Sequence, residues 1–181
     1  NLGVVLQELG EYQKAISSYE KAIQINPNYA DAHNNLGNVL KESGDHQKAI
    51  SSYEKAITIQ PNYADAHYNL GNLLKNLGKL KEAESSYRKA IDIKPDYAQA
   101  QCNLGNLFRD LGRLKEAELS YLKAIKLNPN YSKAYFSLSL LKYSDENKIL
   151  MNQILSKNNL NKKSKKDQIF FYFAKANILH N

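Results

Sequence analysis

Apolar residues recur at helical spacing along most of the chain, in two stripes that alternate. The first stripe after residue 29 consists of Ala32, Leu36, Val39 and Leu40. This spacing predicts an α-helix, here called helix A, and Gly44 ends it because glycine readily adopts the left-handed conformation that closes a helix. The second stripe consists of Ala49, Ile50, Tyr53, Ala56 and Ile57. It predicts helix B, from His46 to the residue before Pro61, because proline excludes helical geometry there.

The pair of helix A and helix B recurs at a fixed step. The only four prolines lie 34 residues apart, at Pro27, Pro61, Pro95 and Pro129. The Leu-Gly pairs of helix A and the glycines that end it keep the same step. One pair of helices cannot bury both of its faces, so stacking of successive pairs supplies the missing partner. Positions within a repeat are numbered here from Ala30, which makes Gly37 position 8 and Tyr53 position 24.

The repeated markers resemble the consensus of the tetratricopeptide repeat family, which has Leu-Gly, an alanine, an aromatic residue and a proline at a period of 34. The resemblance implies an all-α fold, a right-handed α-solenoid of tandem helix-turn-helix repeats. It predicts four repeats over 1–131 and a degenerate fifth repeat with capping helices over 132–181. Asn1 falls at position 6, so we expect a truncated first repeat and a chain cut from a longer protein.

Tyrosine occupies two positions in each of the four repeats. Position 24 consists of Tyr19, Tyr53, Tyr87 and Tyr121, and position 34 of Tyr29, Tyr63, Tyr97 and Tyr131. At helical spacing, such a ladder indicates a packed core rather than a platform for stacking bases. We expect Tyr53 to meet helix A of the following repeat, and the tyrosines at position 34 to pack into the next pair of helices.

The repeat pattern weakens after residue 131, where Ser139 replaces the glycine of position 8. We predict a helix over 145–157 and a last helix over Asp167–His180, with Ser164 as its N-cap. Three phenylalanines make the last helix strongly apolar. We expect it to cover repeat 5 on one side and to leave apolar surface open. The chain should then self-associate end to end, as a two-fold homodimer.

The net charge is +7, and the charged residues are distributed unevenly along the chain. Residues 1–131 carry 16 Lys or Arg against 15 Asp or Glu, and residues 132–181 carry 9 against 3. The excess lies mainly in the lysine-rich stretch 157–166, which is interpreted either as a patch for nucleic acid or anionic lipid or, as we prefer, as a solvated loop. Nucleic acid is not expected as a partner. Reading RNA requires base-specific side chains that vary between repeats and a basic surface, whereas these repeats are nearly identical and almost neutral.

The sequence lacks the features of a catalytic, metal or membrane site. No two histidines have the close spacing of metal ligands, no glycine-rich phosphate loop is present, and no run approaches 18 apolar residues. We therefore expect no enzymatic activity, no cofactor and no membrane span in this chain. The single Cys102 excludes an internal disulfide and, without a signal peptide at the N-terminus, favours the cytoplasm.

One face of helix A is left once the packing positions are assigned, and in the tetratricopeptide family this face lines a concave groove. We expect a peptide-binding groove lined by Asn34, Asn35, Asn38, Lys41, Tyr68, Asn69, Asn72, Lys75, Cys102, Asn103, Asn106 and Arg109. Positions 6 and 9 are asparagine in all three complete repeats. A carboxamide carries both donors and an acceptor, which suits it to the backbone of an extended peptide of any sequence.

The two asparagine rows resemble the ladder of O-linked N-acetylglucosamine transferase, which holds peptide backbone. The basic clamp of chaperone-binding family members is absent, because Asp31 and Asp65 stand at position 2. Two other interpretations remain open: the chain is the non-catalytic arm of a larger bacterial enzyme, such as a sulfotransferase or glycosyltransferase, or the face is solvated and has no ligand. For the groove, we predict that replacing Asn69, Asn72 and Asn103 with alanine weakens binding about tenfold or more at an unchanged melting temperature.

Overall fold

A computed structural model describes residues 2–141 and 164–180, which form ten α-helices and no strand. The helices are α1 Leu2–Glu8, α2 Tyr12–Ile25, α3 Ala30–Glu42, α4 His46–Ile59, α5 Ala64–Asn76, α6 Leu80–Ile93, α7 Ala98–Asp110, α8 Leu114–Leu127, α9 Ser132–Ser139 and α10 Lys165–His180. The chain divides into two compact units, Asn1–Pro95 with α1 to α6 and Asp96–Asn181 with α7 to α10. None of the described helices has both the length and the apolar character needed to cross a bilayer.

Helices α1 to α8 alternate as helix A and helix B, as the period predicts. Gly44 follows α3 with a φ of +89°, a conformation that strains any residue with a side chain. The N–H of Asp45 donates to the carbonyl of Leu40 at 2.9 Å, and the N–H of Gly44 donates to that of Lys41 at 3.2 Å. These two bonds satisfy carbonyls that the end of a helix leaves open. The predicted end of helix A and start of helix B are therefore confirmed.

Position 4 ties the start of helix A to the preceding turn. Nε2 of His67 lies 3.0 Å from the carbonyl oxygen of Pro61, and Nε2 of His33 lies 3.0 Å from that of Pro27. Since a carbonyl oxygen only accepts, the ring nitrogen is the donor. In the second unit the hydroxyl of Tyr135 donates to the carbonyl of Pro129 at 3.1 Å. A donor at position 4 therefore links a repeat to the turn before it within each unit.

The tyrosines of position 24 fill the space that the glycines of position 8 leave open. All four rings are buried, which confirms that this half of the ladder is core. A β-carbon on Gly37 would lie 2.6 Å from the ring of Tyr53, and one on Gly3 would lie 2.6 Å from the ring of Tyr19. The ring of Tyr53 thus packs against helix A of its own repeat, and its expected contact with helix A of the following repeat stays a prediction.

The tyrosines of position 34 do not form a uniform core. Tyr29 is 41% exposed, Tyr63 is half-buried and Tyr97 is buried. The hydroxyl of Tyr63 donates to Oδ1 of Asp31 at 2.6 Å, so Tyr63 contacts helix A of its own repeat. The prediction that this row packs into the next pair is therefore incomplete, since Tyr63 also reaches back.

Helix α10 packs on α9, as predicted for a helix that covers repeat 5. The ring centroids of Tyr135 and Phe171 are 4.8 Å apart. Ser164 caps the helix, because its Oγ accepts from the N–H of Asp167 at 3.2 Å. The helix begins at Lys165, two residues earlier than predicted. The predicted helix over 145–157 and most of the lysine-rich stretch lie outside the described residues.

Candidate functional site

The predicted groove residues occupy positions 5, 6, 9 and 12 of helix A, and we call this set the helix A face. Side chains three and four residues apart point to the same side of a helix. In the first unit, α3 and α5 contribute Asn34, Asn35, Asn38, Lys41, Tyr68, Asn69, Asn72 and Lys75. In the second unit, α7 contributes Cys102, Asn103, Asn106 and Arg109. Ten of these residues are half-buried, whereas Asn34 and Cys102 are buried.

The asparagines of position 9 accept hydrogen bonds from the tyrosines of position 24. The Tyr–Asn pairs, joined from Oη to Oδ1, are Tyr53–Asn38 at 2.8 Å, Tyr87–Asn72 at 2.8 Å and Tyr121–Asn106 at 2.9 Å. Burial raises the pKa of Tyr53, Tyr87 and Tyr121 above its ordinary value, which keeps these hydroxyls protonated. Asparagine at position 9 of repeats 2 to 4 therefore has a role inside its own repeat, which sequence reasoning did not find.

Asn34 joins two repeats instead of facing a ligand. Nδ2 of Asn69 donates to Oδ1 of Asn34 at 3.1 Å, which connects α5 to α3. Asn34 is only 5% exposed, and its own Nδ2 lies 3.5 Å from Oδ1 of Asn35. Its assignment as a groove residue is therefore corrected. Tyr68, which replaces Asn34 one repeat later, is half-buried, and its ring centroid lies 6.2 Å from that of Tyr87.

Cys102 lies in the interior of the second unit. Only 1% of the residue is exposed, and burial raises the pKa of its thiol to about 11 although a hydrogen bond with Ser137 opposes the shift. The thiol is therefore neutral near pH 7 and out of reach of a peptide, so the assignment of Cys102 to the groove is corrected as well. A buried and neutral thiol of this kind is unreactive.

Charged side chains border the asparagines. Lys41, Lys75 and Arg109 stand at position 12 and are half-buried, and Nη2 of Arg109 lies 3.2 Å from Oδ1 of Asp110. At position 2, the carboxylate of Asp31 accepts the hydroxyl of Tyr63. The helix A face in the first unit therefore carries amides between an acidic and a basic border.

The described residues include no group of three or more His, Cys, Asp or Glu side chains that could hold a metal ion. A cleft of about 1160 Å³ lies between α2 and α4, with Leu36 and Leu40 of α3 among its lining residues. It includes none of the twelve predicted groove residues. Sequence reasoning missed it because most of the lining comes from helix B positions that have the composition of an ordinary solvated face.

Models of the tetratricopeptide repeat match the chain over residues 3–44, 37–78, 64–97 and 98–131. No curated protein matches it. The crystal structure of MamA is 23% identical with a TM-score of 0.72, covering 100% of this chain and 98% of that chain. MamA 41-end from Desulfovibrio magneticus RS-1 is 19% identical with a TM-score of 0.70, covering 99% and 90%. YrrB, described as a TPR protein with an unusual peptide-binding site, is 22% identical with a TM-score of 0.69, covering 99% and 88%. These likenesses show the fold.

Proposed function

The chain belongs to the tetratricopeptide repeat family, and we propose on that premise that it binds an extended segment of another polypeptide along the helix A face. The observation that carries the proposal is the repetition of half-buried asparagines at positions 6 and 9 of α3, α5 and α7. Asparagine is a middling helix former, so helix propensity does not favour six of them in the middle of helices.

The position 6 asparagines of the first unit add support, because the hydrogen bonds that the structure gives for Asn35 and Asn69 run to asparagine. Asn35 is half-buried on α3, and Asn69 on α5 uses its Nδ2 in the bond to Asn34. The oxygen of the Asn69 carboxamide still has acceptor capacity for a backbone N–H of a ligand. A peptide-binding site in the similar protein YrrB agrees with a binding role for this fold.

The proposed contact set is the helix A face without its two buried members. In the first unit it comprises Asn35, Asn38, Lys41, Tyr68, Asn69, Asn72 and Lys75, and the second unit presents a separate set of its own, Asn103, Asn106 and Arg109. The amides hold the backbone of the ligand, and the position 12 cations favour acidic side chains along one edge. Sequence-independent contacts of this kind suit a scaffold that accepts several related segments.

The test measures fluorescence anisotropy with a labelled decapeptide of alternating glycine and serine, whose side chains offer little of their own. Asn35→Ala combined with Asn38→Ala and Tyr53→Phe removes two amides without leaving a buried hydroxyl unpaired. We expect binding to weaken about tenfold, at roughly 0.5 to 1.5 kcal/mol for each amide. Gln47→Ala removes an exposed carboxamide from helix B and serves as the control. Equal affinity in both folded variants would argue for a solvated face without a ligand.

A further inference from the structure

We propose that the buried tyrosines of position 24 set the hydrogen-bonding polarity of the helix A face. The asparagines of position 9 then present N–H donors, and the ligand is held there through backbone carbonyl oxygens. This inference rests on the proposed function and adds to it the chemical group that the site reads. Tyr53 and Tyr121 act as positioning residues, because they orient Asn38 and Asn106 and do not themselves touch the ligand.

The first step is that each tyrosine ring has one available place. Tyr53 and Tyr121 are fully buried, and a β-carbon on Gly37 or Gly105 would lie 2.6 Å from the ring. A ring packed this closely on the helix A backbone cannot turn to another rotamer without opening the core. The hydroxyl therefore reaches position 9 at a fixed point in both units.

The second step is that the fixed hydroxyl orients the amide. Oδ1 of Asn38 accepts from Tyr53 at 2.8 Å, and Oδ1 of Asn106 accepts from Tyr121 at 2.9 Å. The carboxamide is planar with its oxygen and nitrogen on opposite branches, so the branch turned away from the tyrosine carries Nδ2 and its two N–H donors. Both asparagines are half-buried, so part of each side chain is open to a ligand.

The third step concerns the group that such donors accept. Along an extended peptide, the acceptor that every residue offers is its carbonyl oxygen. Proline keeps this acceptor and lacks the N–H, and an oligoproline is extended without internal hydrogen bonds. A row that presents donors therefore does not require backbone N–H groups from the ligand at position 9. The ligand class is an extended chain in which proline is tolerated opposite position 9.

Repeat 1 supplies a natural control within the first unit. Its position 9 is Val4, and the buried hydroxyl of Tyr19 has no hydrogen-bond partner among the described residues. Removing that hydroxyl changes no amide, whereas the same change at Tyr53 releases Asn38. The variants Tyr19→Phe and Tyr53→Phe therefore make the same chemical change at two buried residues, and only the second breaks a bond to asparagine.

The experiment compares two labelled probes, decaproline and the glycine-serine decapeptide, by fluorescence anisotropy. We expect both to bind the wild-type chain, and decaproline to lose about tenfold in affinity in a Tyr53→Phe, Tyr121→Phe variant and in Asn38→Asp. In Asn38→Asp the carboxylate still accepts from Tyr53 but offers an acceptor where the amide offered a donor. Tyr19→Phe should bind both probes as the wild type does.

A second readout follows the site directly. In a nitrogen-15 spectrum, the Nδ2 resonances of Asn38 should shift when decaproline is added, and this holds even if a tyrosine variant fails to fold. Binding of the glycine-serine peptide without decaproline would overturn the polarity and leave the proposed function standing. Failure of both probes would overturn the proposed function itself. Unchanged decaproline affinity in folded Asn38→Asp would also overturn the polarity.

Discussion

Repeats 1 and 2 share one packing device and differ in the bond built on it. In both, a buried tyrosine fills the place of a glycine side chain, at 2.6 Å from where the β-carbon would lie. At position 9 the repeats diverge, because repeat 2 has Asn38 and repeat 1 has Val4. Tyr53 donates to Asn38, while Tyr19 has no acceptor among the described residues. The glycine–tyrosine packing therefore forms without an asparagine at position 9. The asparagine at that position serves a purpose other than this packing.

Alkaline pH tests the shared half of this comparison, and we expect it to have the largest effect. Burial raises the pKa of Tyr19 and of Tyr53. The stability that each buried phenol contributes is complete below the ordinary pKa near 10 and is lost above it, since the unfolded state ionises first. We predict a loss of about 1 kcal/mol for each of Tyr53, Tyr87 and Tyr121 by pH 11. Urea denaturation from pH 8 to 11 measures the slope, and a flat profile would contradict the burial of the hydroxyls.

Two glycine substitutions separate packing from backbone conformation. Gly37→Ala drives a methyl group into the ring of Tyr53 and should destabilise the chain by about 2 to 3 kcal/mol. Gly44→Ala meets no atom within 4 Å, but φ of +89° strains it, at about 1 kcal/mol. Thermal melts of both variants give the order. If Gly44→Ala proved the more harmful change, close packing of tyrosine on glycine would not be the main constraint.

Loss of a hydroxyl should affect the two repeats differently. Tyr53→Phe removes the donor to Asn38 and should cost about 1 kcal/mol, whereas Tyr19→Phe removes an unpartnered buried hydroxyl and should be neutral or stabilising. For the same reason Asn72→Ala removes the acceptor of the Tyr87 hydroxyl. The variant with alanine in place of Asn69, Asn72 and Asn103 should therefore melt below the wild type, whereas the sequence alone predicted an unchanged melting temperature. A Tyr87→Phe, Asn72→Ala cycle measures this coupling, and an additive result would sink it.

A hydrogen-bond acceptor added at position 9 of repeat 1 tests the same comparison by a gain in stability. Val4→Asn places a carboxamide at position 9 of repeat 1, within reach of a hydroxyl that occupies the same place as that of Tyr53. We expect a gain of about 0.5 to 1 kcal/mol in the free energy of unfolding. The gain should disappear when Tyr19→Phe is added. A gain that persists in the Tyr19→Phe background would mean that the amide stabilises the chain by replacing an exposed apolar side chain and not by bonding to the hydroxyl.

The smallest effect concerns association. Val5 in α1 is 50% exposed, while its counterpart Val39 in α3 is fully buried. The predicted end-to-end homodimer would cover such apolar positions, and Val5→Ser should weaken it while Ser17→Ala leaves it unchanged. Sedimentation at a series of concentrations measures the change. A wild-type chain that stays monomeric at roughly several hundred micromolar would contradict this prediction, because dimers with a weaker dissociation constant would not form at useful concentrations.

The helices were predictable from sequence because their signals are local. Stripes at helical spacing, a glycine with positive φ and a proline two residues past helix B fix the bounds of α3 and α4 nearly to the residue. The bond between Tyr53 and Asn38 was not predictable, since it depends on the angle at which two helices cross. The burial of Asn34 and Cys102 was missed for a related reason: the distance between neighbouring helices A decides which of their face positions stay open.

The link between position 4 and the preceding proline carbonyl has a consequence for how arrays of this kind grow. The acceptor is a backbone atom, which no substitution can delete, and the donor arrives with the incoming repeat as His33, His67 or Tyr135. A duplicated 34-residue segment therefore carries the donor at its own position 4, and any preceding turn of the same shape supplies the carbonyl acceptor. Gene duplication can lengthen such an array without a compensating change in its neighbours.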